Sequence, residues 1–288
     1  MQGLAKRVAF QGEPGANSHI AISEVDPAWI PAPCDTFEDC FTALADGSVD
    51  LAMIPIENSL AGRVADIHYL LPDSGFHIVG EHFMPIRFQL AAPKGATLDT
   101  IRTVESHVHA LGQCRRVIRE RGLTAKVSGD TAGAAREIAE AGDISRAAIT
   151  TRLAAEIYGL DVLQADVEDA AHNTTRFVIL SRQEANARPG NGPVVTSFVF
   201  RVRNIPAALY KGLGGFATNG VNITKLESYQ LEGQFFASQF FADIEGHPED
   251  APVRRALEEL AFFSSKLRIF GAYPASPFRA NIREPVAD

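Results

Sequence analysis

From Arg7 to Ser181, short apolar runs alternate with segments of helical spacing. Residues 8–10 read as a strand, and Gly12-Glu13-Pro14-Gly15 turns the chain into a helix from about Ser18. Thr36, with Asp39 three positions on, predicts the N-cap of a helix carrying Phe37, Phe41, Leu44 and Ala45. Residues 51–56 are continuously apolar, as expected of a strand covered on both faces. A helix is expected near 64–71 and two strands within 76–92. Over 106–121, Ala110, Leu111, Cys114, Val117 and Ile118 form one stripe, which predicts a single helix stopped by Gly122. A strand at 125–128, an alanine-rich helix at 131–141 and elements at 147–150, 153–158 and 174–180 continue the alternation. That order predicts an α/β fold with a mainly parallel sheet.

The composition changes at 183–193, where Pro189, Gly190, Gly192 and Pro193 mark a linker. Beyond it, 194–202 reads as a strand, and Pro206 opens a helix carrying Leu209, Leu213 and Phe216 that Gly220 stops. Paired strands are expected at 221–229 and 235–244 around a Glu232-Gly233 turn. A helix with Val253, Leu257 and Leu260 and a strand at 267–272 follow. This β-α-β-β-α-β order is the ferredoxin-like pattern.

Composition narrows the function. The chain carries 35 acidic and 27 basic residues, a net charge of −8, so it has no global attraction for nucleic acid or anionic membrane. An anionic ligand must be held by local groups. No apolar run reaches a membrane span, the N-terminus lacks a signal peptide's apolar stretch, and Cys34, Cys40 and Cys114 make no disulfide framework. A cytoplasmic enzyme or binding protein is expected, with the cysteines as buried, inert thiols.

Four segments carry candidate chemistry. The loop Gly12 to Ser18, including Gly15 and Asn17, leads from strand into helix, where free backbone N–H groups favour an anion. Its alternative is a tight turn with Ser18 as cap. Glu57, Asn58 and Ser59 directly follow a buried strand, where ligands bind in open α/β sheets. They offer an acid or base and two hydrogen-bonding groups, or else only a helix cap. Ser106 and Gln113 share a face if their helix begins near Ser106, and Thr131 opens a later helix. His107-x-His109 lacks a third ligand on the same side, so no metal is expected. In Asn173-Thr174-Thr175-Arg176-Phe177, strand alternation turns Asn173, Thr175 and Phe177 one way and Arg176 the other. Arg176 then joins a cleft only at an irregular strand end; otherwise it pairs a carboxylate elsewhere.

These segments together resemble bacterial prephenate dehydratases with a C-terminal ACT regulatory domain, over nearly the whole length. The match rests on the 10–18 loop, Glu-Asn-Ser-x-x-Gly-x-Val at 57–64, Ser106-His107 with Ala110-Leu111 and Gln113-Cys114, Asp130-Thr131-Ala132, and Asn-x-Thr-Arg-Phe at 173–177. The resemblance implies a two-lobed catalytic domain over 1–182, similar to periplasmic binding proteins. One lobe would hold about 1–80 plus 165–182 and the other 81–164, with the 183–193 linker and an ACT domain at 194–288 following. It also implies a cofactor-free lyase that converts prephenate to phenylpyruvate. Thr175 would hydrogen-bond the departing hydroxyl, and Glu57 or a water would complete a proton relay. The substrate carboxylates would be held by the Gly12–Ser18 loop, Asn58, Ser59, Ser106, His107, Gln113, Thr131, Asn173 and Arg176, with Phe177 shielding the ring. L-Phenylalanine would act as feedback inhibitor between ACT domains of a homodimer or homotetramer, near Ala207, Ala208, Leu209, Asn222, Glu227 and Ser228. An arogenate dehydratase and a non-catalytic amino-acid sensor are the alternatives.

Overall fold

A computed structural model describes residues 5–64, 67–185, 187–190, 192–230 and 237–282. The Glu232-Gly233 turn lies outside them. Strands β1 (Arg7–Gln11), β2 (Ile30–Cys34), β3 (Leu51–Asn58), β4 (Gly62–Arg63) and β5 (His77–Pro85) belong to the first sheet. The second sheet contains β6 (Gln89–Ala92), β7 (Thr103–Ser106), β8 (Thr124–Val127), β9 (Arg146–Thr150) and β10 (Asp161–Gln164), in the order β10-β6-β9-β7-β8. The chain then returns as β11 (Thr174–Ser181), giving the first sheet the order β2-β1-β3-β11-β5, with β4 folded back on β3. Two mixed sheets thus stand where one mainly parallel sheet was expected: β7 runs parallel to both β8 and β9, whereas β6 opposes β9 and β10. β2 escapes detection because Pro31 and Pro33 break a strand reading, and prolines are tolerated here because β2 is an edge.

The helices follow local chemistry. α1 (Asn17–Val25) starts after Ala16, which supplies no side-chain cap, so Ser18 does not take that role. α2 (Phe37–Asp46) has the expected capping box: Thr36 and Asp39 satisfy each other's backbone N–H groups. α3 (Ile67–Leu70) is a single turn. The expected helix over 106–121 is broken into α4 (Val108–Gln113) and α5 (Arg115–Glu120). The cause is Asp169, whose N–H donates to the Gln113 carbonyl while its carboxylate accepts from the Arg115 and Arg116 N–H groups. These bonds replace the helical ones at the junction. α6 (Thr131–Ala141) begins where predicted, capped by Asp130, and α7 (Arg152–Tyr158) is capped by Thr151.

By contacts the chain groups into two compact units, 1–64 with 82–177, and 65–81 with 178–288; the division falls within β5 and β11. In the second unit, β12 (Val194–Val202), α8 (Ala208–Thr218), β13 (Ile223–Gln230), β14 (Ala237–Glu245), α9 (Ala251–Phe263) and β15 (Ser264–Pro274) form a four-stranded antiparallel sheet. Its order, β13-β14-β12-β15, is that of a ferredoxin-like unit. One face packs Phe198, Phe200, Phe240 and Ile244 against Phe216 of α8 and Val253, Leu257 and Leu260 of α9. The helix start expected at Pro206 falls later: Ala207, in the left-handed region at φ 61°, is the cap of α8. The last helix is α10 (Phe278–Ile282). Among the described residues no helix is long and apolar enough to cross a membrane.

Candidate active site

The site grows from the junction of β3 and β11, neighbours in the first sheet. Asn58 ends β3, and its Oδ1 accepts from the N–H groups of Leu60 (3.0 Å) and Ala61 (2.8 Å). That settles the amide's orientation, since only an oxygen can accept two donors. Its Nδ2 therefore donates, to Asn173 Oδ1 at 2.7 Å and to Thr175 Oγ1 at 2.9 Å. Asn173 must then turn Nδ2 outward, and it donates to Gln113 Oε1 at 2.8 Å. The Gln113 amide hydrogens are left without a partner among the described residues. So is the hydroxyl hydrogen of Thr175, whose oxygen is already an acceptor. A polar chain thus runs from a backbone turn through buried Asn173 to Gln113, with buried Thr175 as a second branch.

Ser59 closes this junction. Its hydroxyl donates to the His172 carbonyl and accepts from the Thr174 N–H, both at 2.9 Å. Asn58 and Ser59, expected to hold substrate, spend these side-chain donors on protein groups.

Alternation along both strands separates the two groups of the expected relay. Asn58 reaches Thr175, whereas its neighbour Glu57 reaches Arg176, with Nη1 to Oε1 at 2.8 Å. Glu57 and Thr175 therefore lie on opposite faces, and the structure does not assemble them as a proton relay. Arg176 is 2% exposed and lies 5.8 Å from the Phe83 ring centre. It pairs the Glu57 carboxylate, as strand alternation away from Thr175 predicts. Phe177, only 1% exposed, is core rather than a shield over a ligand.

Other candidates fall elsewhere. Ser106 belongs to β7, not to a helix; it is fully buried and donates to the Ile149 carbonyl at 2.5 Å. It does not share a face with Gln113. His107 caps α4, and burial together with neighbouring His109 lowers its pKa. Thr131 opens α6 beside the end of β8. The Gly12–Ser18 loop is not an open nest of donors. Gly12 N–H bonds the Cys34 carbonyl, Ala16 N–H the Glu13 carbonyl, and Gly15 N–H His19 Nδ1. The loop instead docks on α6 and α7. Glu13 takes two hydrogen bonds from Arg136, at 2.7 and 2.9 Å, and Thr151 Oγ1 donates to the Gly15 carbonyl. The Arg136 hydrogen bonds hold the Glu13 carboxyl below its ordinary range, and burial beside that carboxylate pushes the Tyr158 hydroxyl up to about 12. Burial also pushes the thiols of Cys40 and Cys114 far up. Among the described residues no cluster of His, Cys, Asp and Glu is suited to a metal ion.

Gln113 and Asn173 line a cavity of about 460 Å³, whose apolar wall includes Leu60, Ala61 and Val108. His109 and Arg115 line it too, on α4 and α5, which are parted by a helix break invisible in the apolar stripe. In the second unit, the sequence-expected ligand residues do not converge within one chain. Leu209 packs on the helical face of the sheet. Glu227 lies on the opposite face, bonded to Lys225 and Tyr229 and 3.6 Å from His68. Burial raises the Glu227 carboxyl, but its bonds from Lys225 and Tyr229 outweigh this and leave it lowered. Ala207, Asn222 and Ser228 are exposed, and Ala208 is buried.

A mixed α/β protein with a chain of hydrogen-bonded amide and hydroxyl groups beside a cavity is the class these features define. The family model described as prephenate dehydratase matches residues 8–185. A bifunctional N-acyl-homoserine lactone acylase/prephenate dehydratase of Komagataeibacter europaeus is 52% identical over 272 residues, covering 94% of this chain and 97% of that protein. An arogenate dehydratase/prephenate dehydratase of Arabidopsis thaliana is 36% identical over 282 residues, covering 94% of this chain and 74% of that protein. The solved prephenate dehydratase of Arthrobacter aurescens, in complex with L-Phe, superposes with a TM-score of 0.85 at 30% identity, covering 98% of this chain and 92% of that one. The chain belongs to the prephenate dehydratase family, a family of lyases.

Proposed function

We propose that Thr175 is the group that promotes loss of the ring hydroxyl when this enzyme converts prephenate to phenylpyruvate. The single observation that carries this reading is the hydroxyl hydrogen of Thr175, left unspent because Asn58 donates to its oxygen. In the reaction the bond from ring to carboxylate breaks and CO₂ leaves. Its electron pair completes the aromatic ring, and the C–O bond breaks opposite. The departing oxygen takes a hydrogen bond from Thr175 and a proton from solvent, passed by a water that the Thr175 hydroxyl orients, and leaves as water. A positioned proton donor contributes about 10²–10⁴-fold. Aromatisation supplies the driving force.

The two sheets of residues 7–181 serve in this reading as the two lobes of the catalytic domain, similar to periplasmic binding proteins, with Gln113 reaching from one lobe to Asn173 of the other. The βαββαβ unit acts as an ACT domain taking L-phenylalanine as feedback inhibitor. Since Leu209 and Glu227 face opposite ways, a complete site calls for a second copy, which supports a homodimer or homotetramer; the cytoplasm is the compartment this reading expects. Phenylpyruvate formation from prephenate tests the activity, and comparison of kcat/KM with arogenate tests the substrate. An active enzyme whose rate and melting temperature ignore saturating phenylalanine defeats the regulatory reading alone.

A further inference from the structure

The cavity beside Gln113 and Asn173 has a charge pattern that bears on which substrate arm it takes. Its charged or titratable lining groups are His109, Arg115, Glu168 and Asp169. Both acids are committed to the protein. Glu168, 6% exposed, receives Arg87 Nη1 at 2.6 Å and the Phe88 N–H at 2.9 Å. Asp169 receives the N–H groups of Arg115 at 2.9 Å and Arg116 at 3.1 Å. The Arg115 guanidinium, in contrast, has no hydrogen-bond or ion-pair partner among the described residues. Its Nη2 lies 3.9 Å from the place a Cβ on Gly112 would occupy, so the head folds back along α4, beside the residue preceding Gln113.

We infer that Arg115 binds the carboxylate of the substrate's side arm and makes this site prefer a keto acid over the matching amino acid. This rests on the proposed dehydratase reading. A guanidinium presents a planar fork that matches a carboxylate, and the exposed apolar side chains of Leu60 and Val108 line the same cavity. The ammonium group of the amino acid would lie next to that carboxylate, where the guanidinium repels it. Prephenate keeps the full attraction; arogenate keeps only the difference. The adjoining Gln113 amide hydrogens supply the neutral donors.

The test is steady-state kinetics of the full chain with both substrates for the parent, Arg115→Gln and Arg116→Gln. Asp169 uses the Arg115 backbone N–H, so removing the side chain leaves that cap intact, and melting temperatures check this. Arg115→Gln is expected to lower kcat/KM for prephenate by about 10–100-fold, mainly through KM, the loss of one charge-assisted pair. The value for arogenate falls less, so the preference ratio drops by at least about five-fold. Arg116→Gln leaves the ratio as in the parent. An active parent with equal losses on both substrates, or none, overturns the role of Arg115 and leaves the dehydratase reading standing. A parent inactive on both overturns the dehydratase reading, and this assignment with it.

Discussion

The amide of Asn58 donates to the hydroxyl of Thr175 across 2.9 Å, joining residues 117 positions apart. Because the donor is an amide, the threonine keeps its hydrogen for another acceptor. Asn58→Asp reverses this: the new carboxylate still accepts from the Leu60 and Ala61 N–H groups but also draws in the threonine proton. We expect kcat to fall about 10²-fold or more in N58D, and T175A to lose about 10²–10⁴-fold, both with near-parental KM. Rapid mixing with prephenate measures it; near-parental turnover in T175A would remove threonine from the chemistry.

Glu57 and Arg176 make a separate prediction, because their pair lies on the other face of the sheet. Glu57→Ala leaves a cation that is 2% exposed short of a partner, which should cost about 2–3 kcal/mol in urea unfolding. Its kcat should stay within about ten-fold of the parent, short of what removing a proton-transfer group costs. A loss as deep as that of T175A would restore glutamate to the relay.

The clasp between Glu13 and Arg136 should appear in acid. Glu13 has a lowered pKa in the folded chain, so it adds stability above the unfolded carboxylate value of about 4.3, and the gain fades as pH falls through the folded value. Melting curves of the parent and Arg136→Gln should differ at pH 7 and draw together as pH falls below the unfolded value of about 4.3. A constant gap across that range would show that Arg136 stabilises by packing alone.

Gly15 has a φ of +93°, and a Cβ built there would sit 2.5 Å from Ala154 Cα at the start of α7. Gly15→Ala should therefore cost about 2–4 kcal/mol by thermal or urea unfolding, combining left-handed strain with overpacking. A near-neutral substitution would mean that the loop does not dock on α7 as described.

Much of this protein was legible from its residues. The Thr36–Asp39 capping box is a local motif, and α2 forms where it stands. The alanine run over 131–141 sets α6, and the β-α-β-β-α-β order of the second unit follows from period and turn chemistry alone. Alternation around Thr175 correctly sent Arg176 the other way, since side-chain direction in a strand is a property of the backbone.

What tertiary structure decided was every partnership between distant segments. Asp169 splits a continuous apolar stripe into α4 and α5 by supplying bonds from outside the helix, and no periodicity records that. Ser106 was expected on the same helix face as Gln113 only because its strand ends where a helix begins. Glu57 and Asn58 are adjacent and equally polar in the chain. Only β11, laid beside β3, gives one of them to Arg176 and the other to Thr175. Sequence determines what each residue can donate or accept, whereas the packing of remote strands determines what is left over for a substrate.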